Sequence, residues 1–554
     1  MANLLREEAR ARASIVGSPR ISVELDVRDP DRFRLRTSID FQACAGQSTF
    51  LDIEPLDVAS AELNGRPLRS WADGRLLLDR LADHNQVVVE AVMAYSSDGE
   101  GLHQHIDPLD GRRYLYAMSF LDAAPRWLAC FDQPDIKGRY RFDVHTPANW
   151  LVRGSGPATR ISPDHWLVGW TLPLPSYLVT LCAGPWASLT ERHDGIRLGF
   201  HARQSLAEIL HAEADELLAV TRTSFDEYHR LFGVRYPFGD YEQFFVPDFN
   251  AGAMENPGCV TMRDQFLFRG AATTAQRAGR AGIIAHEMAH QWFGDLVTLR
   301  WWDDLWLSES FAEYLGHRVC STATDYQLWT GFSVRRKDWG AIADQGPSTH
   351  PVAANGAEDA GQALTNFDGI SYAKGASVLR QLVATIGDEC FLEGLRRYFH
   401  QFAFGNAELA DLVACWQAVG ATDLDDWVDQ WVHTSGMDRL TGLRTPQGWA
   451  IDRSVPMDDP SRRVHVVNAA LLDAQGHECQ RSRVVINSDR TPLALQPGAG
   501  VLVPDADDLT WAVVRCSEGW RALPIGRIPQ PLTRAVLYNG IRDAVRAGEL
   551  ASGQ

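Results

Sequence analysis

The 554-residue chain, with 45% hydrophobic and 22% charged residues, has an ordinary globular composition, and its length predicts about three to four domains rather than one core. A net charge of −18 argues against a nucleic-acid partner, which calls for a basic face, and weakly favours cationic or amine-bearing substrates. Nine cysteines without a CxxC pair fit a reduced interior. No run of about eighteen apolar residues predicts a membrane span, and Met1–Glu8 begins a charged, helix-like stretch unlike a signal peptide; the expectation is a cytoplasmic protein without membrane contact.

Residues 20–190 read mostly as strands, with β-branched or alternating runs at Ile21–Leu25, Phe33–Ile39 and Gln86–Ala94; Ser176–Ala183 closes this part. His103-Gln104-His105 alternates like a strand pair but lacks further metal ligands nearby and is assigned to a loop. From residue 200 the period becomes helical: Leu206–Leu231, then Ala278–Phe293 with Gly294 at a C-cap position, Gly375–Gly387, Asp388–Phe402 and Leu424–His433. Short strands return at Val464–Leu472, Arg483–Asn487 and Leu509–Arg515 and predict a small β-sandwich. Pro531–Leu550 is helical again, with Ala535, Val536, Tyr538, Ile541 and Val545 as its apolar stripe; Ala551–Gln554 follows.

Chemistry concentrates in His286-Glu287-Met288-Ala289-His290, with Glu309 following after eighteen intervening residues. Histidines four apart on a helix share a face, where both imidazoles reach one zinc, and the intervening glutamate stands where it can take a proton from the water the metal activates. A catalytic zinc keeps one position open, so a third ligand comes from elsewhere. Glu309 fits, at the start of a second helix with Ser308 as N-cap and Phe311, Ala312 and Leu315 on its apolar side. Two His and one Glu predict a zinc hydrolase with one Zn2+ per chain. Trp301, Trp302 and Trp306 read as packing around these helices. Asp295 and Glu313 are either partners that orient the histidines or surface carboxylates.

Two more segments flank the motif: Gly252-Ala253-Met254-Glu255-Asn256 before it, and Ile370-Ser371-Tyr372-Ala373-Lys374-Gly375-Ala376 after it. In this order and spacing the three resemble the aminopeptidase N family of zinc metallopeptidases (gluzincins), most closely its bacterial cytosolic members, and the likeness covers nearly the whole chain. The resemblance implies a multidomain fold: an N-terminal β-saddle (1–193), a thermolysin-like α+β catalytic domain (194–438), a β-sandwich (439–527) and the beginning of a truncated C-terminal helical domain (528–554). It assigns His286, His290 and Glu309 to zinc, Glu287 to the general base and Tyr372 to the oxyanion of the tetrahedral intermediate. Glu255 would grip the substrate's free α-amino group, and backbone around Gly252, Ala253 and Met254 would hold the substrate as an added strand.

The chain departs from the family twice. After Tyr114-Leu115-Tyr116 relatives carry polar side chains that line the first specificity pocket and help bind the amine; here Met118 and Phe120 stand at those positions, and the loss of a charge-assisted hydrogen bond is worth about 1.5–3 kcal/mol. The helical domain that roofs the site in relatives is nearly absent. Either the sequence stops short, or the natural chain lacks the roof, or a second chain covers the site. The expected function is a zinc aminopeptidase cleaving the N-terminal amide bond of a peptide. One alternative is a specialised zinc hydrolase acting on an amide or other bond of a small metabolite, since one family member hydrolyses a lipid epoxide; another is a binding protein with a vestigial site.

Overall fold

The computed structural model describes residues 3–353, 356–456, 461–496 and 498–551; the first two residues of the charged N-terminal stretch and the last three of the chain lie outside these. The chain is a multidomain mixed α/β protein whose contacts divide it into two compact units. The first comprises Met1–Trp302, Ala357–Leu364 and Phe399–Ala407, the second Asp303–Gly356, Thr365–Tyr398 and Glu408–Gln554.

In the first unit the charged N-terminal stretch leads into a helix that starts at Arg6, Arg6–Ile15, pinned by the buried Arg12, whose guanidinium donates to Asp52 and Gln133, each at 2.5 Å. An eight-stranded sheet follows in the order 158–162, 165–168, 139–145, 20–26, 32–42, 84–94, 57–63, 66–67. The predicted strands lie within Arg20–Asp26, Arg32–Gln42 and His84–Ala94, and their alternating burial leaves one face to solvent. The other face shares a core around Trp127, Phe131 and Phe142 with residues of a four-stranded sheet in the order 151–154, 181–184, 113–118, 101–106. His103 and His105 lie on the strand Gly101–Ile106, not in a loop, paired with Arg113–Met118.

A five-stranded sheet follows in the order 187–193, 196–202, 241–246, 259–263, 253–254, in a region whose period reads as helical from residue 200. Its inner strands run parallel, and every residue of Tyr241–Val246 is buried. Parallel strands covered on both faces lose the alternation that marks a strand in sequence. Glu242 lies on the central strand, fully buried, where His201 (2.6 Å), Arg153 (3.2 Å) and Arg197 surround its carboxylate. The helices Ala207–Phe232 and Thr274–His290 belong to the same unit.

The second unit opens on the helix Trp306–Ala323. Its N-cap is Leu305, so Ser308 lies inside the first turn and is buried with Phe311, Ala312 and Leu315. The helices Gly375–Ile386, Leu409–Ala418 and Leu424–Trp431 follow. A four-stranded sheet (490–492, 448–454, 438–445, 512–515) and a three-stranded sheet (478–486, 465–472, 501–503) then share a core that includes Leu440, Trp449, Ile451, Val467 and Leu502.

The terminal helix, Pro531–Arg546, buries Thr533, Ala535, Val536, Leu537 and Ala544; of the predicted stripe Ala535 and Val536 are buried, whereas Tyr538 is 56% and Val545 36% exposed. Gly540 accounts for the departure in the second half of the stripe. A Cβ there would lie 3.0 Å from the carbonyl oxygen of Val514, so the helix rests on the strand through a residue that apolar periodicity does not count.

Deep in this unit Asp438 accepts from Arg463 (2.7 Å) and pairs with His465 (2.9 Å), all three fully buried. Asp438→Asn leaves the guanidinium charge without its counter-ion and should cost about 3–5 kcal/mol in chemical denaturation. Burial holds the imidazoles of His201 and His465 below their ordinary 6.5. The unfolded chain therefore takes up these protons first as the pH falls. Their contribution to stability is complete above about 6.5 and is lost below it. Denaturation midpoints measured from pH 7.5 to 5 should fall, and should fall less in a His465→Gln variant.

Candidate active site

The helix Thr274–His290 begins with a capping box, Thr273 and Gln276 bonding reciprocally. It is fixed along its length by Arg280, which donates to Glu213 at 2.6 Å, and by the Tyr228 hydroxyl, which donates to the Ala285 carbonyl at 2.6 Å. The helix ends at His290; Gly294, with φ of 117°, lies in the turn that follows. That turn sets the histidine tautomer. His290 Nδ1 is 3.0 Å from the Phe293 carbonyl, which can only accept, so Nδ1 carries the hydrogen and Nε2 is the lone-pair nitrogen. This Nε2 lies 3.1 Å from His286 Nε2. Two imidazole nitrogens directed at one point at this separation suit two ligands of a tetrahedral zinc, each about 2.0–2.1 Å from the metal.

Buried carboxylates stand around the pair. One ligand atom from each of Glu255, Glu287 and His290 lies within 4.8 Å of the others. Glu309 is buried in the first turn of Trp306–Ala323. Both oxygens of Asp295 are buried without a hydrogen bond, and its backbone N–H donates to the His290 carbonyl at 3.1 Å. Burial, reinforced by the charge of Glu255, pushes the Asp295 carboxyl well above its usual range. Lys137 Nζ donates to the Asp295 carbonyl at 3.2 Å, and burial pushes its ammonium down to about 7 against the opposing pull of Asp295. Neither Asp295 nor Glu313 is a surface carboxylate, the second of the two readings their sequence left open.

Gly252, Ala253 and Met254 lead into Glu255 at the margin of the five-stranded sheet. Ala253–Met254 is an edge strand, paired with Thr261–Met262 on one side only. Gly252 is exposed, and a Cβ added there would meet nothing within 4 Å, so packing does not demand a glycine. Upstream of it, Asp248 binds His105 Nδ1 at 2.6 Å. Met118 ends the strand Arg113–Met118 and is buried; Ser119 then turns inward, accepting from Trp127 Nε1 and donating to the Val179 carbonyl. Phe120 meets Tyr177 and Trp302 edge to face at 5.8 and 6.2 Å.

Tyr372 belongs to the second unit, on a π-helical turn, Ile370–Lys374, that runs into Gly375–Ile386. Lys374 anchors the turn through Asp344 (3.0 Å) and the Thr434 carbonyl (2.8 Å), and Ser310 Oγ donates to the Ser371 carbonyl. A Cβ on Gly375 would sit 1.9 Å from Ser310 Oγ, so only glycine allows this approach to the Glu309 helix. Arg336 covers the Tyr372 ring with its guanidinium 5.4 Å from the centroid, and holds Glu313 with two hydrogen bonds of 2.7 and 2.9 Å.

Sequence reasoning passed over Arg336, Lys137 and Gln291. Gln291, next after the motif, donates to the backbone carbonyls of Glu255 (2.8 Å) and Glu287 (3.2 Å), tying the two carboxylate-bearing segments together. Its adjacency to His290 is a usable signal; nothing in sequence ties Arg336 or Lys137 to the site.

The profile described as "Peptidase family M1 domain" matches residues 217–431. The chain is 37% identical to "Aminopeptidase N" of Streptomyces lividans, an alignment covering 99% of this chain and 68% of that protein. It is 29% identical to "Probable aminopeptidase 1" of Sulfurisphaera tokodaii (72% of this chain, 50% of that protein) and 30% identical to the "Leucyl aminopeptidase" of Saccharolobus solfataricus (56% and 40%). The chain thus spans about two thirds of the first relative and half or less of the other two. No described helix is long and apolar enough to cross a membrane.

Proposed function

We propose that this chain, which belongs to peptidase family M1, is a metallo-aminopeptidase that removes the N-terminal residue of a peptide. The observation that carries the proposal is the pair of Nε2 atoms 3.1 Å apart beside the buried Glu287, in a chain 37% identical to an aminopeptidase N. His286, His290 and Glu309 would hold one zinc ion. When bound, the metal supplies Lewis acidity that makes a water nucleophilic near neutral pH and polarises the scissile carbonyl.

The chain's own groups do the rest. Glu287 accepts the proton of the attacking water and delivers it to the leaving amine. Tyr372 donates a hydrogen bond to the oxygen on which charge develops, and the cation of Arg336 over its ring favours that polarity. Glu255 receives the substrate's ammonium group and leaves internal peptide bonds without that contact. The Ala253–Met254 edge offers free backbone groups to an extended substrate, and the open space at Gly252 lets its main chain come close. Met118 and Phe120 bound the amine on this reading. In the same assignment residues 1–193 are a β-saddle, 194–438 the thermolysin-like catalytic domain, 439–527 a β-sandwich and 528–554 the start of a helical domain. Nine free cysteines support a cytoplasmic location.

Glu287→Gln should retain about one zinc per chain by mass spectrometry and lose turnover, whereas Glu309→Ala should lose the metal. Tyr372→Phe should lower kcat about a hundredfold with little change in KM; an effect on KM alone would place Tyr372 in binding. Parental turnover by Glu287→Gln would sink the mechanism.

With apolar side chains at the amine, the parent should be a weak aminopeptidase on leucyl and arginyl amides. Met118→Gln with Phe120→Glu should raise kcat/KM roughly ten- to a hundred-and-fiftyfold, the value of one charged hydrogen bond. Strong parent activity confined to free amines, and unimproved by the double change, would show that this loop does not govern amine recognition. Turnover of N-acetylated leucyl amide as fast as the free amine would favour the non-peptide hydrolase instead.

A further inference from the structure

A second constellation of ligating side chains stands on the solvent-facing side of the eight-stranded sheet, in a part of the chain that the proposed chemistry leaves without a role. His145 ends the strand Arg139–His145 and pairs in register with His165, the first residue of the antiparallel strand His165–Val168. Residues directly opposite on neighbouring strands project from the same face, and these two rings stack with centroids 4.6 Å apart and planes inclined by 15°. Asp143, two positions before His145, shares that face. Its Oδ1 lies 2.6 Å from His165 Nε2 and 3.6 Å from His145 Nε2, so both rings turn the same nitrogen toward one carboxylate oxygen. One ligand atom from each of the three lies within 4.8 Å of the others.

A hydrogen bond from His165 to Asp143 accounts for half of this arrangement. It does not account for His145, whose Nε2 is too far from Oδ1 for a hydrogen bond yet points the same way. Two imidazoles and a carboxylate converging on one point form the donor set of the borderline divalent cations, Zn2+, Ni2+ and Cu2+. The scaffold is stiff, because Arg139–His145 lies inside the sheet between His165–Val168 and Arg20–Asp26. Access is open: the side chains of Asp143, His145 and His165 are 31%, 42% and 25% exposed. Asp26, in register with His145 on its other side, adds negative charge but is engaged by Arg28 through two hydrogen bonds and is not counted among the ligands.

We propose that Asp143, His145 and His165 form a second metal site, for a borderline divalent cation such as Zn2+, with its remaining coordination positions open to solvent. The site is distinct from the histidine pair of the Thr274–His290 helix and takes no part in the hydrolysis proposed above.

Equilibrium dialysis of the full chain against graded free Zn2+, with the metal counted by mass spectrometry, tests it. The parent should take up one more equivalent than His145→Gln/His165→Gln. Each single variant, and Asp143→Asn, should weaken that equivalent by about tenfold or more. Hydrolysis of an aminoacyl amide should be unchanged in all of them. Metal held at His286 and His290 cancels in the difference, so this test stands whether or not the catalytic assignment does. Equal uptake by parent and double variant at every concentration would overturn the proposal. So would parental affinity in either single histidine variant. A measurement without substitutions reads the same site: Zn2+ should protect His145 and His165 from diethyl pyrocarbonate, and modification at an unchanged rate would count against it.

Discussion

Concentrated buried negative charge is the constraint around which the first unit is arranged. Glu255, Glu287 and Asp295 are all withdrawn from water, two of them within reach of His290, and the buried Lys137 lies beside Asp295. Carboxylates held this way are costly unless protonated or paired with a cation. The protein uses both routes. Burial drives Asp295 toward its neutral form and Lys137 toward its own, and the proposed metal at the Nε2 atoms of His286 and His290 would offset the remaining charge. The Phe293 carbonyl, the Gln291 amide and the Arg280–Glu213 pair keep these groups in place.

In the second unit the equivalent problem is the placement of Tyr372. A phenol with the role proposed for Tyr372 must be oriented before the charge it stabilises appears. The π-helical turn that carries it is held from below by the buried Lys374–Asp344 pair, from one side by Ser310, and across its ring by Arg336, itself fixed by Glu313. Glu313 and Glu309 lie one helical turn apart on Trp306–Ala323, so the helix that carries the predicted metal ligand also sets the cation over Tyr372.

What could be read from the sequence follows from how each feature is encoded. His286, Glu287 and His290 are legible because helical spacing alone puts them together, and the long strands of the eight-stranded sheet because one face meets water. Tyr241–Val246 meets no water, so a strand and a buried helix segment leave the same trace there. The predicted stripe of the terminal helix holds at Ala535 and Val536 and fails at Tyr538 and Val545, on either side of Gly540, where packing depends on the lack of a side chain. Ser308 carries the right chemistry for a cap, but the helix begins two residues earlier, and tertiary burial overrides the local preference. Arg336 and Lys137 meet their partners across 23 and 158 residues of chain, a distance at which no spacing rule operates.

The edge strand Ala253–Met254 carries a consequence beyond catalysis. An open sheet edge beside a site proposed to take extended chains is also a template on which another protein's strand can grow, and proteins with long flat edges aggregate by that route. Here the edge is two residues long and is followed at once by the buried Glu255 and Asn256. An intruding strand gains a rung or two of ladder and then runs out of partners. The same brevity that would limit a peptide's grip protects the protein from its own kind, so an edge of this length can serve the proposed binding of extended chains without becoming a seed for fibres.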